Sequence, residues 1–329
     1  MTNEIYLFLL LLLYKERVWR KEMKKKYLCG TLLSFYIPLM KFSCATSDLL
    51  HGVQIATRAI GSDQVLPILQ NIHLSIADGM CTLTATNLEL SIITSFPCTI
   101  ESEGKITVPA KALLNFIQYH HSGTILIESE EGTQLRLKST SAKAVIIGEG
   151  SQGYPTITIQ AAEREIPLEI TPFLEALHLT TFACAKNSAR PVLSGVFLSL
   201  HGTVLTLAST DSYRLSEYTL SLQGEHQDFS CIIPVKFLEE LRGVLLVTTE
   251  QHQQKTMALQ MSAQQIQVKI GSTILQSRLI DGRFPDYKLI LPKEKRTTVT
   301  LGVKDLLTTV KRMHFFAKED RKSTRLNSS

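Results

Sequence analysis

Nine histidines, six cysteines and thirty acidic residues are the side chains with which this 329-residue chain could do chemistry. His120-His121 is the only adjacent histidine pair. It falls at the end of a predicted helix beside Ser122-Gly123, where a helix C-terminus favours polar or positive side chains. Asp211-Ser212-Tyr213-Arg214 sets a carboxylate three residues before a guanidinium. Two readings follow: a structural Asp–Arg pair in a turn, or an acid–base site in a hydrolase that joins Asp211 to a distant histidine. No H-E-x-x-H, G-x-S-x-G or G-x-x-x-x-G-K-[ST] string occurs, and no cofactor motif is found. Cys29, Cys44, Cys81, Cys98, Cys184 and Cys231 form no C-x-x-C pair and share no metal-ligand spacing with a histidine. They read as reduced, mostly buried thiols of a cytoplasmic protein. The expectation is a chain with no catalytic residues, no metal and no cofactor.

Composition narrows the class further. Hydrophobic residues make up 44% and charged residues 20%, which excludes a disordered chain. The net charge of +5 is unevenly placed. Residues 1–39 hold seven basic and three acidic side chains, and Arg321–Ser329 hold three basic and none acidic. Residues 40–320 are left with 25 basic and 27 acidic. Net charge therefore does not draw the body to nucleic acid, and any such contact needs a local patch. No apolar run reaches the 18–20 residues, roughly, that span a bilayer. Residues 1–39 do not fit a signal peptide, since the second apolar run, behind Lys24-Lys25-Lys26, has signal-like order but no small-residue cleavage site near its end; they are expected to be translated upstream sequence, with the native start at Met40. A membrane tether through residues 5–40 is the alternative. Arg321–Ser329 is expected to be a foreign or disordered tail.

The body repeats itself. Pro67 and Pro191 are 124 apart, as are Thr86-Asn87 and Thr210-Asp211. Pro109 and Pro234 are 125 apart, and Pro155 and Pro285 are 130 apart. Four landmarks in one order at a nearly fixed offset indicate a duplicated domain of about 125 residues. A third copy begins: Leu307 and Phe316 are spaced like Phe173 and Phe182, and like Leu49 and Arg58. The predicted domains are 40–160, 161–292, and a third that starts at 293–320.

Within each copy the hydrophobic period alternates between two and 3.6. Phe42–Cys44 reads as a strand. Ser47 can cap a helix with Leu49, Val53, Ala56 and Ile60 on one face. Strand-like stretches follow at Ile68–Ile76, Cys81–Thr86 and Leu88–Phe96. A second helix is predicted at Ala110–Tyr119, with Leu113, Leu114 and Ile117 inward. Thr124–Ser129, Gln134–Lys138 and Lys143–Gly148 read as strands, with a hairpin at Glu130-Glu131-Gly132. In the second copy, Thr171-Pro172 reads as a cap followed by proline at the first helical position. Lys236–Arg242 reads as its second helix, with Leu238 and Leu241 inward. The pattern is strand, helix, three strands, twice per copy, which is an α+β fold of mostly antiparallel sheets. Arg58, Lys111, Lys236, Arg242, Lys304 and Lys311 are candidates for helix faces turned away from the sheets.

These residues carry a resemblance. MKFSCATSDLL at Met40, LPIL at Pro67, then RPVLSG, TDSYRL and IDGRFPDY occur in the order and spacing of one family. From Met40 to about Glu319 the chain resembles the beta sliding clamp of bacterial DNA polymerase III. The resemblance implies the DNA-clamp fold, with three copies of one domain per subunit. It also implies a non-catalytic processivity factor, two of whose subunits join head to tail as a homodimeric ring around duplex DNA. Implied partners are the DNA polymerase III catalytic subunit, the clamp loader, and other polymerases and repair proteins that carry a clamp-binding motif. Such partners would insert a short peptide into an apolar cleft, carried over to Leu193, Thr210, Arg214, Leu215, Pro285 and Ile290. DNA-facing positions would be Arg58, Lys111, Lys186, Asn187, Arg190, Lys236 and Arg242. Two departures stand out. Tyr213 occupies a place where the family often has histidine, and Asp63-Gln64 precede Leu66-Pro67 where many members carry a basic residue. With only the start of a third domain, the chain is expected not to close a ring by itself.

Overall fold

The computed structural model describes residues 40–61, 66–120, 123–130, 133–186, 190–252, 255–292, 294 and 297–326. The chain divides into two compact units, the first reaching to Phe284 and the second starting at Pro285. The expected extension at 1–39, the loop at Asp63-Gln64, the turn residues Glu131-Gly132 and His121 lie outside the described residues. Among the described residues no helix is long and apolar enough to cross a membrane.

The first copy runs β1 (Lys41–Ala45), α1 (Thr46–Ala56), β2 (Asn71–Ala77), β3 (Met80–Thr86), β4 (Leu90–Pro97) and a short β5 (Thr99–Ser102). It continues with β6 (Gly104–Pro109), α2 (Ala110–Ile117), β7 (Thr124–Glu130), β8 (Gln134–Lys138) and β9 (Lys143–Ile147). The second runs β10 (Arg164–Glu169), α3 (Ile170–Thr180), β11 (Gly195–His201), β12 (Val204–Thr210) and β13 (Leu215–Ser221). Then come β14 (Phe229–Pro234), α4 (Val235–His252), β15 (Thr256–Met261), β16 (Gln265–Ile270) and β17 (Thr273–Arg278). Strand, helix, three strands, twice, describes both copies, with β5 added in the first.

The strands alternate buried and half-buried residues, as a sheet covered on one face requires. They form a five-stranded sheet (β5-β1-β7-β8-β9), an eight-stranded sheet (β10-β15-β16-β17-β4-β3-β2-β6) and a four-stranded sheet (β13-β12-β11-β14). The eight-stranded sheet joins the copies: β17 pairs antiparallel with β4, from Thr273 opposite Thr94 to Ser277 opposite Leu90. The hydroxyls of Thr94 and Thr273 meet at 2.9 Å inside this joint. Helices pack in pairs, α1 beside α2 and α3 beside α4. Under them lie Phe42, Leu49, Val53, Leu113 and Ile117 in the first copy, and Phe173, Leu177, Leu238 and Leu241 in the second, all at most 1% exposed. Each such side chain stabilises the fold by about 1.5–3 kcal/mol through burial.

Several local expectations are corrected. Ser47 is not the cap of α1. The helix starts at Thr46, after an extended Ala45 that makes no side-chain cap. Thr46 donates its N–H and its hydroxyl to Gly123 O, each at 3.0 Å. Thr171-Pro172 is not a cap and first residue either, since α3 begins at Ile170, whose N–H donates to Lys255 O at 2.9 Å. In both copies a backbone carbonyl following the second helix does the work sequence reading gave to a hydroxyl, a long-range partner that local spacing does not show. Pro172 is tolerated because its N–H would be unpaired in the first turn. α1 ends at Ala56, a turn before Ile60, and α2 ends at Ile117 with Leu114 only half-buried. Pro67–Gln70 is a 3-10 turn, so β2 starts at Asn71 and not at Ile68. α4 continues ten residues past Arg242, because Val244 and Leu245 extend its buried face.

In the second unit, a 3-10 turn spans Tyr287–Leu289 and α5 spans Val303–Leu326. This helix includes Arg321–Leu326, the first part of the expected disordered tail. Leu306, Leu307, Val310, Met313 and Phe316 are all about half exposed or more along it.

Candidate functional site

The TDSYRL segment forms a tight turn between β12 and β13. The Thr210 hydroxyl donates to Arg214 O at 2.7 Å and accepts from the Ser212 N–H at 3.1 Å. Asp211 Oδ1 accepts from the N–H groups of Tyr213 and Arg214, each at 3.0 Å. Ser212 takes a left-handed conformation (φ 75°) to close the turn. This is an Asx turn, in which a short side chain stands in for a turn carbonyl. Asp211 Oδ2 then accepts from Arg214 Nε at 3.1 Å. The backbone N–H donors, followed by Arg214, hold the Asp211 carboxyl below its ordinary pKa. Both oxygens are engaged and the group is ionised. Asp211 is therefore a turn residue paired with arginine, which answers the choice left open by its spacing.

The turn also brings together residues far apart in sequence. Arg214 lies with its guanidinium carbon 5.3 Å from the centre of the Phe182 ring. Phe182 follows α3 in a 3-10 turn and is 53% exposed. Ser216 Oγ donates to Leu179 O, which ties β13 to the end of α3. Leu215 starts β13 half-buried. Leu193 lies in the 3-10 turn Pro191–Ser194, 3% exposed, and its carbonyl accepts from the Ala185 N–H at 2.9 Å. In the second unit, Pro285 O accepts from the Tyr287 N–H at 2.8 Å, and Ile290 is 78% exposed. Phe182 entered the sequence reading only as a repeat landmark. Its nine-residue spacing from Phe173 gave no sign that it meets Arg214.

The basic candidates separate by environment. Lys111 and Lys236 are exposed in the first turns of α2 and α4, at equivalent places 125 residues apart. Lys186 and Arg190 are exposed, and Asn187 lies outside the described residues. Arg242 is half-buried on α4. Arg58 donates from Nη1 to Glu240 Oε2 at 3.1 Å, which links the end of α1 in one copy to α4 in the other. Gly243 permits this approach, because a Cβ there would stand 2.2 Å from Arg58 Nη1.

Buried thiols among the described residues are unsuited to nucleophilic work. Burial pushes Cys44, Cys184 and Cys231 each up to about 12, so they stay protonated at neutral pH.

Residues 40–158 match the family model described as DNA polymerase III beta subunit, N-terminal domain, and residues 168–286 match that of its central domain. The chain belongs to the DNA polymerase III beta subunit family. Among its relatives is the beta sliding clamp of Haemophilus influenzae, 28% identical over 289 residues, covering 88% of this chain and 78% of the relative. The crystal structure of the Bacillus subtilis DNA polymerase sliding clamp aligns with a TM-score of 0.77 at 25% identity, over 83% of this chain and 73% of that one. A Pseudomonas aeruginosa sliding clamp, solved bound to griselimycin, aligns with a TM-score of 0.70 at 26% identity, over 78% and 69% of the two chains. The clamp is a processivity factor of DNA polymerase III and not an enzyme. Its antiparallel sheets and few helices are those of the clamp structures.

Proposed function

We propose that this chain belongs to a clamp subunit that joins head to tail with a second copy into a ring that encircles duplex DNA without sequence preference, in the cytoplasm. It tethers the DNA polymerase III catalytic subunit and other motif-bearing polymerases and repair proteins, and it is placed by a clamp loader. The observation that carries this reading is the joint between the two copies. A sheet edge of one copy, β4, continues into a sheet edge of the next, β17. Their counterparts, β13 and β9, end their own sheets among the described residues. An interface that uses opposite edges of one repeated unit is heterologous, and such interfaces close into rings when the rotation fits. A closed ring needs no tight grip on DNA; linkage keeps the polymerase at high local concentration.

Lys111, Lys186, Asn187, Arg190, Lys236, Arg242 and Arg58 are the DNA-facing residues in this reading. Lys111 and Lys236 support it most strongly. Each sits in the first turn of a helix, where the macrodipole disfavours a positive charge by about 0.3–1 kcal/mol. Helix stability does not explain two lysines at equivalent disfavoured places, whereas phosphate contact does. For the partner peptide this reading takes Leu193, Thr210, Arg214 and Leu215 from the first unit, and Pro285 and Ile290 from the second. Apolar side chains take the anchors, with one arginine and one threonine at the rim.

The test is retention on DNA. Labelled protein is loaded by the cognate loader onto nicked circular DNA, and half of the sample is linearised. A sliding ring stays on circles and runs off the linear form, and its loss is little changed by salt. Equal, salt-sensitive loss from both forms would mean simple electrostatic binding and overturn the ring.

A further inference from the structure

The first copy carries the turn of the second without its aromatic–arginine pair. At the place of Phe182 it has Arg58, and at the place of Arg214 it has Leu90, both 124 residues earlier. Arg58 turns to Glu240, and Leu90 is 2% exposed at the start of β4. The Phe182–Arg214 contact is therefore not something this fold requires. It fixes one side chain closely. Its guanidinium carbon lies over the Phe182 ring, 5.3 Å from the centre, and its Nε is bonded to Asp211. Neither Nη nitrogen has a partner among the described residues, and the arginine side chain is 54% exposed. An arginine already paired with a carboxylate offers directed N–H donors more than net charge. That suits the carbonyl oxygens of an extended peptide.

We propose that Phe182 is a positioning residue for peptide binding: its ring holds Arg214 so that the free Nη donors meet main-chain carbonyl oxygens of a peptide seated beside Leu215. The inference rests on the cleft reading above. An exposed arginine samples many rotamers, and fixing one beforehand removes part of the ordering cost of binding.

The experiment is fluorescence anisotropy of a labelled synthetic peptide ending in Leu-Phe, titrated with the full chain. The variants are Phe182→Leu, Phe182→Tyr, Arg214→Ala, and Phe182→Leu combined with Arg214→Ala. Phe182→Leu keeps apolar bulk at a half-exposed place and leaves the fold intact, which circular dichroism verifies. Loss of the ring face weakens binding about fivefold, and Phe182→Tyr restores it. Arg214→Ala weakens binding at least as much, and the double variant is no weaker than Arg214→Ala alone. Wild-type affinity in Phe182→Leu, with Arg214→Ala weakened, overturns the positioning role and leaves the cleft standing. Additive losses also overturn it, because Phe182 then meets the peptide on its own account. Wild-type affinity in Arg214→Ala, or no binding by the unaltered chain, overturns the cleft reading, and the role of Phe182 falls with it.

Discussion

Thr86–Leu90 and Thr210–Arg214 are the same turn built twice. In the first, the Thr86 hydroxyl donates to Leu90 O and accepts from Leu88 N–H, both at 3.0 Å, while Asn87 Oδ1 accepts from Glu89 and Leu90. Leu88 has φ 75°, as does Ser212. The four side-chain-to-backbone bonds recur in both, although only the first adds a backbone bond, from the Asn87 N–H to Leu90 O at 3.1 Å, and their surroundings differ. The first turn leads into β4, which lies inside the eight-stranded sheet, and Glu89 O accepts from the Arg278 N–H at 3.2 Å. The second leads into β13, the end strand of its sheet among the described residues. Duplication kept the turn and changed what it displays. Covered by a neighbouring strand, it carries an apolar fifth residue; at a sheet edge, it carries an exposed arginine.

Exchanging those fifth residues is the strongest way to break the comparison. Leu90→Arg buries a charge without a partner in the eight-stranded sheet, and destabilisation by about 4 kcal/mol is expected in urea unfolding. The reverse exchange, Arg214→Leu, touches an exposed residue and should shift stability by less than about 1 kcal/mol, while peptide binding weakens about fivefold or more. Equal costs in the two directions would mean that the surroundings of the two turns do not differ.

A second pair sharpens the comparison. Tyr154 stacks on His73 with ring centres 5.4 Å apart, and Phe284 stacks on Phe197 at 5.0 Å, the same places in the two copies. Only Tyr154 has a hydroxyl, which donates to Thr84 O at 3.2 Å. Burial raises that hydroxyl's pKa to about 12, so it remains a donor at neutral pH. Tyr154→Phe should cost about 1 kcal/mol of unfolding free energy, and the stack itself should survive.

A smaller effect separates the turns by pH. Asn87 does not titrate, whereas Asp211 has a folded-state pKa below its ordinary value. A depressed carboxyl contributes stability that is fully present above its unfolded pKa and lost as pH falls through the folded one. The second turn should therefore loosen below about pH 4 while the first does not. Amide exchange at Tyr213 and Arg214, compared with Glu89 and Leu90, reads this directly. Asp211→Asn should remove the difference. Smallest of all, Glu240→Gln removes the charge from a half-buried pair worth about 0.5 kcal/mol. By releasing Arg58 it should slightly strengthen salt-sensitive binding to duplex DNA in a filter assay.

Much of this was legible in sequence. The offset of 124 residues located both turns, and alternation at Gln134–Lys138 gave β8 its true limits. What stayed hidden was long-range. The start of α1 depends on Gly123 O, and no local pattern around Thr46 reports a partner 77 residues away. The β4–β17 joint escaped for the same reason, since hydrophobic period places a strand in a sheet without naming its neighbour. In the candidate site, the motif singled out Thr210, Arg214 and Leu215, while Phe182 became visible only once α3 and β13 lay together.

The joint between the copies also has a mechanical side. Its five residue pairs, Thr94–Thr273 to Leu90–Ser277, lie along two antiparallel strands. Tension directed along those strands loads all the rungs at once, in shear, so none can fail ahead of the others. Tension across them opens the rungs singly, as in a zip. A subunit dragged by a moving polymerase is thus stiff in one direction and yielding in another, and single-molecule pulling along the two axes should give clearly different rupture forces.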